Sequence, residues 1–379
     1  MKVILGTDPI KYPLTGIGRY TYELAKALQS YESSELSELL FLQGRHISRD
    51  IPAASETAPR NTGLKRMVQR SRLASELYRL TAPWLKTRAL KPYPQHIYHG
   101  PNFYLPPGVD NCVATFHDLS VFSFPECHPA ERVRFMHKEL SLTLRRAKVL
   151  ITDSEFTRRE LAQYFNYPLA KIVTARLASS GEFYPRDGQQ INQALLPFGL
   201  SAGQYSLFTG SIEPRKNLKT LLDAYQQLPV SLRQRYPLVI CGFKGWGSES
   251  LHARFEQAEK EGWLRYLGFA RADDLPWLFA GARAFIFPSL YEGFGLPVLE
   301  AMSSGVPVVC SNSSSLPEVV GDCALMHDPL DADGFTTSIR QSLEDALWRE
   351  AAISAGLERA KLFSWRRCAQ ETINAYNQV

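Results

Sequence analysis

A chain of 379 residues exceeds what one hydrophobic core usually organises, so two domains of similar size are expected. Hydrophobic content of 45% with 21% charged residues is ordinary for a soluble globular protein, and no apolar run approaches the ~18–20 residues of a membrane span. The net charge of +5 is uneven: Arg60–Lys91 holds nine Lys/Arg and one acid, so that stretch carries +8 and the remainder −3.

In chain order, Lys2–Gly6 reads as a strand too short for a signal peptide. A glycine loop, Thr15-Gly16-Ile17-Gly18, and a helix over Arg19–Gln29 follow, then a strand at Leu39–Gln43. In the basic stretch Lys65, Arg72, Arg79 and Lys86 recur every seven residues beside Leu73, Leu77, Leu80 and Trp84. That is an amphipathic helix with a basic face, kinked or ended near Pro83. A solvated face and attraction of 60–91 to an anionic membrane surface, worth about 1 kcal/mol per basic residue, both stay open. No nucleic-acid partner is expected, because neither stacking aromatics nor a nucleic-acid motif accompanies the charge.

Strands follow at Ile97–His99, Asn111–Phe116 and Lys148–Thr152, and Thr157-Arg-Arg-Glu160 has the form of a capping box opening the next helix. Between Ser179 and Gly203 the pattern breaks into Gly, Pro, Gln and Asp, which reads as a linker. A second series begins with a strand at Tyr205–Thr209 and a helix at Leu218–Leu228. Strands at Leu238–Cys241, Ala284–Pro288 and Val306–Cys310 come next, the last after a helix ending at Gly305. From Ser364 on, Trp365, Cys368, Ala369, Thr372, Ile373 and Tyr376 share one helical face that needs an apolar partner in the first domain. Six cysteines (112, 127, 241, 310, 323, 368) lack CxxC spacing, so reduced thiols in a cytoplasmic protein are expected rather than disulfides or zinc. The fold class is α/β: two Rossmann-like domains facing across a cleft, residues 1–185 plus 365–379 and residues 186–364, with ligands beyond the strand carboxyl ends.

The strongest chemical signal is Tyr291-Glu292-Gly293-Phe294-Gly295-Leu296-Pro297-Val298-Leu299-Glu300, after a strand and opening a helix. Its glycines let amides approach an anion beside a helix amino terminus, and Glu300 can reach a diol such as a ribose. Arg215 and Lys216, in Gly210-Ser-Ile-Glu-Pro-Arg-Lys-Asn217, precede a helix for which Asn217 is a good cap, an arrangement suited to a diphosphate. Gly16-Ile17-Gly18 lacks the third small residue of a dinucleotide fingerprint and reads as a loop approaching phosphate or sugar. His117, at a strand tip in His117-Asp118-Leu119, suits hydrogen bonding to a sugar.

Together these segments resemble the retaining family-4 glycosyltransferases of the GT-B fold over nearly the whole chain. Thr152-Asp153-Ser154, Gly305-Val-Pro-Val-Val309 and Ser315-Leu-Pro-Glu-Val319 match as well. The resemblance implies that His117, Arg215, Lys216 and Glu292 are catalytic. It implies donor contacts from Gly16, Gly18, Arg215, Lys216, Phe269 (framing the base), Glu292, Gly293, Phe294, Gly295, Leu296 and Glu300. It also implies that the last helix returns to the first domain. Asn312-Ser-Ser-Ser315 and Gly16-Ile-Gly-Arg-Tyr20 look like bacterial O-polysaccharide mannosyl- and rhamnosyltransferases. A GDP-sugar donor, a lipid-linked or polysaccharide acceptor and a place in the cytoplasm or on the cytoplasmic face of the inner membrane follow from that likeness.

No cofactor and no metal are expected, since Arg215, Lys216 and amides can stabilise the leaving diphosphate and no DxD-type pair ends a strand. Retention rests on the resemblance alone, because no protein nucleophile stands out. The alternatives are a UDP-sugar enzyme of the same family, another nucleotide-sugar enzyme of this fold, and a non-catalytic nucleotide-sugar-binding protein.

Overall fold

The computed structural model describes the chain apart from residues 12–13, 15, 32–33, 53–82 and 246–247. Two sheets organise it. The first runs β3-β2-β1-β4-β5-β6-β7, made of β1 (Lys2–Gly6), β2 (Glu38–Gln43), β3 (His46–Ser48), β4 (Ile97–Gly100), β5 (Cys112–Phe116), β6 (Val149–Thr152) and β7 (Ile172–Thr174). Every pairing is parallel except the β2–β3 hairpin. The second is wholly parallel in the order β10-β9-β8-β11-β12-β13. Its strands are β8 (Ser206–Thr209), β9 (Leu238–Cys241), β10 (Leu264–Gly268), β11 (Ala284–Phe287), β12 (Val308–Ser311) and β13 (Leu325–His327). Interior strands such as β5, β6, β8, β9, β11 and β12 are buried at every position, as parallel strands covered on both faces must be.

Both sheets reverse their winding once, between β1 and β4 and between β8 and β11. Connections leave such a point in opposite directions, so the carboxyl ends there open a crevice. The loops after β1, β5, β8 and β11 carry the sequence motifs, and these two crevices face each other.

Five helices matter for the site: α1 (Gly16–Gln29), α2 (Glu155–Phe165), α3 (Leu218–Gln227), α4 (Leu296–Ser303) and α5 (Trp365–Tyr376). α1 begins three residues before the expected start. α2 begins at Glu155, because Ser154 in extended backbone accepts the Thr157 N–H; the capping box expected at Thr157–Glu160 is therefore inside the helix. The stretch expected as linker holds a helix, Gly188–Leu195, capped by the Asp187 carboxylate and packed through Ile191 and Leu195 on the second domain. Asn217 does not cap α3 with its side chain. It takes the left-handed conformation (φ 56°), and its Nδ2 donates to the carbonyls of Pro288, at 3.0 Å, and Pro329, which ties the loop after β8 to the end of β11. α5 packs on α1, β6 and β7, and the Tyr376 hydroxyl meets His99 Nδ1 on β4 at 2.7 Å, so the carboxyl terminus closes on the first domain. Of the basic segment, residues up to 82 lie outside the described residues; 83–90 are helical and Trp84 is 69% exposed.

Candidate active site

The two crevices enclose a cleft of about 450 Å³. From the first sheet it is lined by Gly16, Arg19 and Tyr20 at the start of α1, by His117 and Asp118 after β5, and by Asp153 after β6. The second sheet contributes Arg215 and Lys216 after β8, Phe243 after β9, Phe269 after β10, the run from Glu292 to Pro297, and Glu300.

Arg215 and Lys216 sit in a short 3-10 turn, Pro214–Lys216, and both reach the loop after β11. Lys216 Nζ donates to Glu292 Oε1 at 2.6 Å, and Arg215 Nη1 lies 3.2 Å from Glu292 Oε2. Arg215 also donates to Glu213 Oε1 at 2.8 Å and to the Tyr291 carbonyl. Burial alone would raise the Glu292 pKa, but Lys216 and Arg215 more than offset it and hold the carboxylate below the usual glutamate range. Glu292 thus fixes the two cations at the cleft wall. Across the cleft Asp118 adds a further carboxylate. Its pKa too is lowered despite burial, by the Arg215 charge and by the N–H and hydroxyl of Ser120.

The loop carrying Glu292 is held by the serine run after β12. Ser314 Oγ accepts the Glu292 N–H at 2.8 Å, and Ser315 Oγ bonds the carbonyls of Glu292 and Phe294. Gly293 is required by close approach, since a Cβ there would stand 1.7 Å from the His117 carbonyl oxygen. Gly295, at φ 106°, turns the chain into α4, and no side chain caps that helix. Within α4 Pro297 has no N–H and the Val298 and Leu299 N–H groups bond the Gly295 carbonyl, so the amides left for an anion are those of the cleft-lining turn from Gly293 to Leu296. Glu300, one turn further on and 9% exposed, has its pKa raised to about 7 by burial, partly relieved by Arg19 of the opposite domain.

Two expected contacts need correction. The sequence suggested that His117 bonds a sugar hydroxyl, yet both ring nitrogens are occupied by the protein. Nε2 lies 2.8 Å from the Pro101 carbonyl, which can only accept, and Nδ1 lies 2.7 Å from Asp153 Oδ2. Burial opposes protonation, but Asp153 and the Pro101 carbonyl outweigh it and raise the His117 pKa, and the two bonds fix the ring in the cleft wall. Gly18, expected among the donor contacts, does not line the cleft. A Cβ there would stand 2.7 Å from the Pro9 carbonyl, so this glycine lets α1 pack on the preceding loop. The other expected residues (Gly16, Phe269, Gly293, Phe294, Gly295, Leu296) all line it.

Arg19, Asp118, Asp153 and Phe243 were not picked out from sequence. Phe243 could have been, because it follows a strand and a glycine as the other motifs do. It and Phe269 are each 49% exposed, with ring centroids 6.4 Å apart on one wall of the cleft. The six cysteines are free.

Comparison with known proteins places this arrangement. Residues 201–359 match the family described as glycosyl transferases group 1. The chain is 49% identical over 380 residues to an Escherichia coli protein named O-antigen chain mannosyltransferase B, covering 99% of both. It is 25% identical over 289 residues to the Salmonella typhimurium O-antigen chain mannosyltransferase RfbU, covering 74% of each. Among solved structures it is similar to WaaG, a glycosyltransferase involved in lipopolysaccharide biosynthesis, with TM-score 0.71, 16% identity and 98% of each chain covered. Anabaena HepE in complex with UDP-glucose superimposes with the same TM-score at 17% identity over 100% of each chain. Two mostly parallel sheets facing across a cleft, with the last helix returned to the first, are the GT-B architecture, and this chain belongs to the group 1 glycosyl transferases and is a glycosyltransferase.

Proposed function

We propose that the cleft binds a nucleotide-diphosphate sugar and passes its hexose to an acceptor hydroxyl with retained configuration and without a metal ion. The observation that carries this reading is the meeting of Arg215 and Lys216 with the uncapped start of α4. Cleaving a glycosyl–phosphate bond develops negative charge on the leaving diphosphate. Cations already fixed by Glu292, together with the amides of the cleft-lining turn from Gly293 to Leu296, stabilise that charge without reorganising. Glu300 accepts from the ribose hydroxyls and the Phe243–Phe269 wall takes the base. His117, its ring fixed by Asp153 and Pro101, lines the sugar subsite. The acceptor hydroxyl attacks the face the diphosphate leaves, and a phosphate oxygen receives its proton.

Mannose from GDP-mannose is the favoured donor, because two relatives bear O-antigen chain mannosyltransferase names. A lipid-linked or polysaccharide chain is the acceptor consistent with those names. UDP-glucose is the second reading, since a fold neighbour was solved with that compound. No helix among the described residues is long and apolar enough to cross a membrane. The exposed Trp84 and Leu85, beside Arg88 and Lys91, would serve a peripheral contact with an anionic surface. Thermal stabilisation by GDP-mannose, GDP-rhamnose, UDP-glucose and UDP-N-acetylglucosamine tests the donor. A true donor stands clear of the others by RT ln(1 + [L]/Kd), and equal shifts for all four would reject the assignment.

A further inference from the structure

Three groups of the second domain grip one helix of the first. The Gly293 carbonyl accepts from Ser154 Oγ at 2.6 Å and Thr157 Oγ1 at 3.1 Å. The Tyr291 hydroxyl donates to Glu160 and accepts the Leu119 N–H at 3.0 Å. The third is Glu318, at the start of the short helix Leu316–Val320. Its Oε2 accepts the N–H groups of Glu155, at 2.8 Å, and Phe156, at 3.2 Å. Its Oε1 accepts from Arg176 Nε at 2.9 Å. Ser154 caps only the Thr157 N–H, so the first two amides of α2 are satisfied by a carboxylate 163 and 162 residues away, on the other side of the cleft. A carboxylate at a helix amino terminus is also favoured by the helix dipole.

We propose that Glu318 is a positioning residue that latches the two domains in the reactive arrangement, acting through the first turn of α2. That turn is continuous with the groups that shape the site. Asp153, just before it, fixes His117, and Ser154 and Thr157 hold the Gly293 carbonyl one residue from Glu292. When the domains separate, water can take over the freed amides and the carboxylate. The latch is therefore reversible rather than a permanent seam. Glu318 lies outside the cleft lining and contacts no part of the site proposed for the donor, so its effect falls on closure and not on nucleotide capture.

This inference rests on the glycosyl-transfer reading of the cleft, and the experiment separates the two. Glu318→Ala and Glu318→Gln are compared with the wild type for kcat, for GDP affinity without turnover, and for hydrogen exchange at the Glu155 and Phe156 amides. In Glu318→Ala, kcat is expected to fall at least tenfold, exchange at those two amides to speed up at least tenfold, and GDP affinity to stay within about twofold. Glu318→Gln is expected to fall between, because its amide oxygen still accepts the two N–H groups but no longer neutralises Arg176. It also keeps the test alive should the alanine variant misfold. Wild-type kcat in a folded Glu318→Ala protein, or GDP affinity lost in step with kcat, overturns the latch. A wild-type protein that binds no nucleotide at all refutes the donor reading instead, and the amide exchange still reports on the contact.

Discussion

Lys216 and Glu292, 76 residues apart in sequence, are joined by a 2.6 Å hydrogen bond between the loops after β8 and β11. Neither charge would be tolerated alone at that depth. Paired, and with Arg215 on the second carboxylate oxygen, they form a site whose cations are in place before any ligand arrives. Glu292→Gln should therefore act through the cations. It removes the charge that holds Arg215 and Lys216, and a fall in kcat/KM of roughly 10²–10³ is expected, the size found when one preorganised charge-stabilising group is lost. Steady-state kinetics on the folded variant check this.

Glu300 links stability to donor binding. Its folded pKa of about 7 lies above its ordinary value of 4.5, so the stability it contributes is complete below pH 4.5 and is lost as pH rises to about 7. Glu300→Gln, which cannot ionise, should be more stable than the wild type above pH 7, by about 3 kcal/mol at most, and equal to it near pH 4. Function runs the other way. The ionised carboxylate is the better acceptor for ribose hydroxyls, so the wild-type donor KM should fall as pH rises through about 7. In Glu300→Gln that pH dependence should be absent. Denaturant melts and donor titrations across pH 5–8 test both halves.

Much of this was legible because interior parallel strands cannot disguise themselves. Covered on both faces, β5, β6, β8, β9, β11 and β12 read as continuous apolar runs. The strands that escaped notice, β3, β7, β10 and β13, are the edges of the two sheets. With one neighbour each and mostly half-exposed side chains, they have no such signature. The site divides in the same way. The Arg215-Lys216 pair and the two glutamates announced themselves because each motif lies in one short stretch running from a strand end into the next helix. His117 was misjudged because its partners, Pro101 and Asp153, come from two other loops, 16 and 36 residues away, that only the fold assembles. Asn217 has the residue type of a cap, but its amide is claimed by Pro288 and Pro329.

The base wall can be tested separately from the phosphate site. Phe243→Ala removes one of two exposed rings, and base–aromatic stacking is worth about 1–3 kcal/mol. Donor Kd should rise roughly tenfold, while affinity for inorganic pyrophosphate, which has no base, stays unchanged. Calorimetric titration with both ligands is the check.

Gly293→Ala examines the seam between the domains. The added methyl would collide with the His117 carbonyl, so the closed arrangement becomes inaccessible while each sheet keeps its core. Activity should fall below detection with little change in far-ultraviolet circular dichroism, and nucleotide binding to the second domain should persist.

The most direct measurement is nucleotide release from GDP-mannose by the folded Arg215→Ala/Lys216→Ala double variant, assayed beside the wild type in excess EDTA. Losing both cations should cost a few kcal/mol of transition-state stabilisation, a fall of about 10²–10⁴ in rate, while the wild type keeps full activity without divalent metal. Transfer by the double variant at the wild-type rate, or a wild type that stops when metal is chelated, would contradict the claim that these two side chains carry the charge of the leaving diphosphate.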